Sequence, residues 1–244
     1  RFVLLQQAIV PLKAGLAEPD CCEVLLRFRE EGNNLLPAGG FLPLAKGYGQ
    51  MEQIDRWVVQ TVIAGCQEQQ VRAPGWRAPL LWVNLSEAAL VSLDFGLSVA
   101  RQMESAGFEG GRLCFEITEP DLIRHPREAK RLFEMLKPLG CRFTVDAFGS
   151  VRPAFSELKG MTFDFVKIDG VIIQNMLRNP AEMSKVRAMH SVCGQLGIRT
   201  VAEFVDDKAI LPVLRKIGVD YAQGFSVARP AQLFDRVDAV RSAA

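Results

Sequence analysis

Eight short apolar runs punctuate the chain: residues 2–10 (FVLLQQAIV), 22–28 (CEVLLRF), 80–86 (LLWVNLS), 112–118 (RLCFEIT), 142–148 (RFTVDAF), 163–169 (FDFVKID), 199–205 (RTVAEFV) and 221–225 (YAQGF). They are rich in Val, Ile, Leu and Phe, which is the pattern of strands buried on both faces. Longer amphipathic stretches lie between them. Residues 38–69 carry two helical patterns, and 94–107 space their apolar positions three and four apart before stopping at Gly107. Residues 125–140 open with Pro126 in the first turn and end at Gly140, and 180–197 end in the same way at Gly197. Residues 206–218 give a further helix, interrupted by Pro212. Eight strands, mostly separated by helices, in 244 residues make the rhythm of a TIM-like (β/α)8 barrel in a single domain spanning 1–244. An open doubly wound sheet is the runner-up, but no G-x-G-x-x-G follows a strand and no Walker A sequence occurs.

The apolar runs are interrupted by polar residues in or at their C-terminal ends: Glu23, Asn84, Glu116, Asp146, Lys167, Asp169, Glu203 and Gln223. In a β/α barrel those ends converge on one face. A lone acid at a strand end is usually a helix cap. A charge inside an apolar run is costly unless it is paired or binds a metal, and this many of them favours one shared site over unrelated caps. Glu23, Asn84, Glu116 and Asp146 offer hard oxygen ligands suited to Mg²⁺, Mn²⁺ or Ca²⁺. Lys167 suits an anionic oxygen or an attacking water, and Glu203 suits proton acceptance. The set fits metal-assisted phosphoryl chemistry. Without a metal, the carboxylates repel one another and an anionic substrate.

Charge and composition narrow the choice. A net charge of +1 leaves no electrostatic footprint for a nucleic acid polymer or an anionic membrane. No apolar run approaches the roughly 20 residues that cross a bilayer. The chain opens on Arg1 without a signal-peptide pattern, so it reads as a domain cut from a longer protein. Six cysteines, none in a C-x-x-C pair and most inside apolar segments, read as reduced, buried thiols of a reducing compartment. Two histidines are too few for a His-rich metal centre and weigh against a Ser-His-Asp triad.

Taken together, these residues resemble the EAL domain family of cyclic di-GMP phosphodiesterases. EVLLR (23–27) is similar to the family's E-A-L-L-R, and VNLS (83–86), FEITE (115–119), VKIDG (166–170), VAEFV (201–205) and YAQGF (221–225) follow in family order. Residues 41–59 resemble the helix after the first motif, and the likeness runs from QQAIVPL to ARP. The resemblance implies a barrel that binds cyclic di-GMP across its strand ends; active members cut one phosphodiester to give linear pGpG. It implies metal-ligand roles for Glu23, Asn84, Glu116 and Asp146. Lys167 and Glu203 match residues at the attacking water, and Glu119 matches one that steadies the loop after Asp146. Gln7, Leu25, Arg27, Asp169 and Gln223 match positions around the ligand, and a guanidinium at Arg27 suits a phosphate. Mg²⁺ or Mn²⁺ is the implied cofactor of an active enzyme, with Ca²⁺ inhibitory; a form with no metal bound stays open. The implied setting is the bacterial cytoplasm, with an upstream sensory or GGDEF domain in a parent chain that missing segments would anchor to a membrane, and with homodimers through the barrel helices.

One motif departs. Where the family has D-D-F-G, this chain has Asp146-Ala147-Phe148-Gly149. Alanine lacks the ligating oxygen that the second aspartate supplies in active members, and a two-metal mechanism needs both ions clamped. The following segment, SVRPAFSEL (150–158), replaces a Gly- and Ser-rich loop with Val151, Arg152 and Pro153, which restrict the backbone. Lys46, Ala8 and Asp206 are smaller departures. The reading is a degenerate EAL domain that binds cyclic di-GMP as a receptor with weak or no hydrolysis. An active metal-dependent phosphodiesterase and a nucleotide-independent interaction module are the alternatives.

Overall fold

The computed structural model describes residues 1–13, 20–150 and 160–234. Its strands are β1 (Phe2–Pro11), β2 (Cys21–Arg29), β3 (Leu35–Pro37), β4 (Leu80–Asn84), β5 (Leu113–Thr118), β6 (Arg142–Phe148), β7 (Phe165–Ile168), β8 (Arg199–Ala202), β9 (Tyr221–Ala222) and β10 (Ala231–Gln232). Its helices are α1 (Leu42–Gly47), α2 (Met51–Arg72), α3 (Glu87–Val91), α4 (Leu93–Ala106), α5 (Glu119–Arg124), α6 (Pro126–Leu136), α7 (Gly170–Asn175), α8 (Pro180–Gln195) and α9 (Ile210–Ile217). Strands β2, β4, β5, β6, β7, β8, β9 and β1 close a ring, with β3 and β10 paired outside it on β2 and β1. Each of the eight apolar runs supplies one strand of this ring.

The barrel differs from a regular alternation in one respect. β1 pairs antiparallel with both β2 and β9, while the pairings from β2 through β9 are parallel. Residues 12–20 are all that join β1 to β2, and a parallel crossover takes a dozen residues or more. The β1–β2 register sets Gln7 opposite Glu23.

The helices follow their sequence signals with one correction. Ser92 caps α4 by accepting the Phe95 N–H at 3.1 Å, and Gly107, at φ +56°, ends it. Pro212 does not interrupt α9. The helix starts at Ile210, so Pro212 lies in its first turn, where no intrahelical N–H bond is forfeited. Helices α3, α5 and α7 are new relative to the sequence reading; each follows a barrel strand closely and is capped by Ser86, Thr118 or Asp169.

Two apolar cores result. The larger lies between the barrel and its helices and includes Val59, Val62, Phe95, Leu132 and Phe143. The smaller fills the barrel interior with Ile9, Cys21, Leu80, Trp82, Cys114, Phe165, Val201 and Tyr221. All six cysteines are buried and unbridged, and burial pushes the thiols of Cys66, Cys141 and Cys193 up to about 12, so they are inert at neutral pH. No helix among the described residues is long and apolar enough to cross a membrane.

A candidate site at the barrel mouth

Alternate residues of a strand share a face, so the position two along from each interior apolar residue is also directed inward. Along β2 this step leads from Cys21 to Glu23, along β4 from Trp82 to Asn84, and along β5 from Cys114 to Glu116. Along β7 it leads from Phe165 to Lys167, and on the antiparallel β1 from Ile9 back to Gln7. Two residues beyond Val201 and Tyr221 stand Glu203 and Gln223. Layering thus collects the polar residues at one end of the barrel.

Lys167 is the hub of that layer. Its side chain is 1% exposed, and its ammonium lies 2.8 Å from Glu116 Oε2, 2.9 Å from Glu203 Oε1, 3.1 Å from Glu23 Oε2 and 3.7 Å from Asp146 Oδ1. The Asn84 amide donates to Glu23 Oε1 at 2.7 Å, and Gln223 Nε2 donates to Glu23 Oε2 at 2.7 Å and to Gln7 Oε1 at 3.3 Å. Gln7 in turn donates to the Ala228 carbonyl at 2.9 Å. Glu23, Asn84, Glu116, Asp146, Lys167, Glu203, Gln223 and Gln7 therefore form one connected network.

The charges divide unequally. Burial alone would raise Glu23, but Lys167 and the donors from Gln223 and Asn84 hold it below the usual carboxylate range. Burial pushes Glu116 well above that range, with the Glu23 charge adding to it, and raises Glu203 to about 8 despite Lys167. Burial disfavours the Lys167 ammonium, yet Glu116, Glu203, Glu23 and Asp146 outweigh it and keep the amine charged.

The donors suit a hard cation in part. Glu116 Oε1 and Asp146 Oδ1 are buried acceptors with no hydrogen-bond donor, and Glu23 and Asn84 stand beside them. Among the described residues, however, no three His, Cys, Asp or Glu side chains stand together as a ready-made metal cluster. Ala147 adds no ligand. It sits at φ +52°, where the β6–β7 register shifts between Val145 and Phe148. That left-handed conformation is one which asparagine and aspartate tolerate better than alanine.

The remaining sequence candidates fall around this network. Glu119, in the first turn of α5, accepts the Gly149 N–H at 3.0 Å and so ties down the turn after Asp146. Leu25 and Arg27 continue the Glu23 face along β2, and Arg27 is half-buried, its guanidinium donating to the Leu26 carbonyl at 2.9 Å. Asp169 caps α7 through the Val171 N–H at 2.9 Å. Of the altered loop, Val151 to Leu158 lie outside the described residues. Lys46 reaches Glu87 at 3.6 Å.

Two aromatic residues at the mouth escaped the sequence reading. Phe204 and Phe225 are 56% and 57% exposed, just past Glu203 and Gln223. Phe204, at φ +49°, lays its ring on Gly170, where an added Cβ would come within 2.0 Å of the ring. Phe225 has the Arg229 guanidinium 5.6 Å from its ring centre, and its backbone N–H is held by Asp206 at 2.7 Å. Both lie in apolar runs that read as strand, yet β8 ends at Ala202 and β9 at Ala222; Gly170 opposite Phe204 and Gly224 beside Phe225 were the available signals.

The family model described as "EAL domain" matches residues 1–230. The chain belongs to the EAL domain family. It is 27% identical over 98% of its length to the cyclic di-GMP phosphodiesterase PdeF of Escherichia coli, of which the match covers 31%. It is 31% identical over 86% of its length to the cyclic di-GMP phosphodiesterase PdeB of Shewanella oneidensis, covering 24% of that protein. The chain thus spans about a third or less of these curated relatives. Its fold is that of the FimX EAL domain from Pseudomonas aeruginosa, solved bound to c-di-GMP, with a TM-score of 0.86, 29% identity and coverage of 96% of this chain and 92% of that one. The EAL fold expected from the motifs is therefore present, with the carboxylates, the lysine and the glutamine of those motifs gathered at the mouth.

Proposed function

We propose that this EAL domain is a cyclic di-GMP receptor whose hydrolytic activity is weak or lost, working as one module of a longer bacterial signalling protein. The observation that carries the reading is Ala147: the residue beside Asp146 has no donor atom and sits in a strained turn at the mouth. The FimX domain, solved with c-di-GMP, supports the ligand. Arg27 at one edge suits a phosphate, and the open faces of Phe204 and Phe225 suit purine bases.

The electrostatics support binding without a cation. Burial raises Glu203 to about 8, so it holds a proton at neutral pH beside the Lys167 ammonium, and burial shifts Glu116 in the same direction. A phosphodiester then meets much less repulsion than four ionised carboxylates would present. If a divalent ion is held, Glu23, Asn84, Glu116 and Asp146 are its donors, and it supplies charge neutralisation and a more acidic bound water. Lys167 orients the anionic oxygens around it, Gln223 and Asn84 fix the Glu23 carboxylate, and Glu119 holds the turn.

A slow metal-dependent phosphodiesterase is the second reading, favoured by the presence of Glu23, Asn84, Glu116, Asp146, Lys167 and Glu203 in one network. Chromatography of reactions with Mg²⁺ or Mn²⁺ separates the two. The receptor reading expects little or no pGpG from the wild type and gain of product in Ala147→Asp; rapid product from the wild type contradicts it.

A further inference from the structure

Asp55 is a buried acid that the site chemistry does not use. It stands on α2, outside the barrel, and is 6% exposed. Its Oδ2 accepts the Ser86 backbone N–H at 3.1 Å and, at closer range, the Ser86 hydroxyl. Among the described residues no cation pairs with it. Arg56, one position along the helix, is engaged by Glu52, which also accepts the Ser92 hydroxyl at 3.0 Å. Burial pushes the Asp55 carboxyl up to about 6 despite the two Ser86 bonds, and the Glu52 charge adds to the rise. A carboxylate held in this way costs stability at neutral pH, and such local costs are characteristic of functional sites.

What Asp55 holds is the exit from β4. Asn84 ends the strand in register with Glu116, the Leu85 N–H bonds to the Glu116 carbonyl at 2.9 Å, and Ser86 caps α3 through the Ala89 N–H at 3.3 Å. Asp55 is a polar contact to this turn from outside the barrel, and Asn84 projects from the turn to Glu23 at 2.7 Å. We propose that Asp55 is a positioning residue: by clamping Ser86 it sets the direction of the Asn84 amide, and with it the Asn84–Glu23 pair at the mouth. The inference rests on the reading that this mouth is the cyclic di-GMP site.

The test uses the 244-residue chain with ¹⁵N in asparagine side chains. The Asn84 amide pair is assigned by its disappearance in Asn84→Asp. The Asn175 amide, which bonds to the Val171 carbonyl at 2.8 Å, and that of Asn179 serve as internal references. In Asp55→Asn the Asn84 signals should move or broaden while the references stay, and cyclic di-GMP affinity should fall about tenfold with no drop in melting temperature. If Asp55→Asn does not fold, Ser86→Ala, which keeps the backbone bond and removes the hydroxyl bond, should still move the Asn84 signals relative to wild type while the references stay. Unmoved Asn84 signals overturn the proposal, as does an affinity loss that merely follows a loss of stability. A wild type that binds no cyclic di-GMP, yet whose Asn84 signals respond to Asp55→Asn, removes the ligand reading and leaves the positioning role standing.

Discussion

Along β7 the inward side chain changes from Phe165 to Lys167 within two residues, and along β5 it changes from Cys114 to Glu116. The lower layer is an apolar plug. Trp82 and Phe165 pack with ring centres 4.6 Å apart, and Trp82 Nε1 has no hydrogen-bond partner. The upper layer is equally buried at Lys167 and Glu116 but is charged and tied together by hydrogen bonds and ion pairs centred on Lys167. Both layers use the same strands and the same alternation. The plug gives the barrel its packing, and the polar layer is held in a destabilising environment by the rigidity beneath it, as expected where a fold positions chemistry on a scaffold.

The largest break in this comparison is the loss of the central cation. Lys167→Met should destabilise the domain by about 3–5 kcal/mol at neutral pH, because it leaves buried carboxylates uncompensated. Those carboxylates are then more basic in the folded than in the unfolded chain, so the folded state binds more protons. The loss should shrink as pH falls toward 5 and grow as pH rises, which urea titrations across pH will show. Trp82→Ala in the plug should cost about 3–5 kcal/mol as well, but by the same amount at every pH, since it removes volume and no charge.

Smaller effects sharpen the contrast. Cyclic di-GMP affinity measured in EDTA should fall about tenfold as pH rises through about 8, where Glu203 loses its proton and adds a negative charge beside the phosphates. In Glu203→Gln that step should vanish from the titration curve. Smallest of all, Ala147→Gly should raise stability by about 1 kcal/mol by relieving the φ of +52°. An unchanged denaturation midpoint would mean that the turn is not strained.

The sequence made much of this legible, and the omissions have physical reasons. The eight ring strands were readable because both of their faces are buried, which leaves dense apolar runs. The antiparallel course of β1 was not, since hydrophobic periodicity carries no direction. Helices α3, α5 and α7 are five or six residues long, too short for a period of 3.6 to register, although Ser86, Thr118 and Asp169 marked their starts. The polar network was readable from charges inside apolar runs. Asp55 was missed because a single acid in an amphipathic helix looks like a surface residue until the strand exit it meets is in place. Phe204 and Phe225 were missed because an aromatic residue after an apolar run reads as more strand.

Calorimetric titration of the 244-residue chain with cyclic di-GMP, first in EDTA and then in Ca²⁺, tests the central claim most directly. Saturable binding in EDTA, with affinity little changed by Ca²⁺ and little or no pGpG in a parallel Mg²⁺ reaction, is the predicted result. Absence of heat in both conditions would contradict the receptor account and leave an interaction module; binding only with a cation, accompanied by pGpG in Mg²⁺, would contradict it in favour of an enzyme.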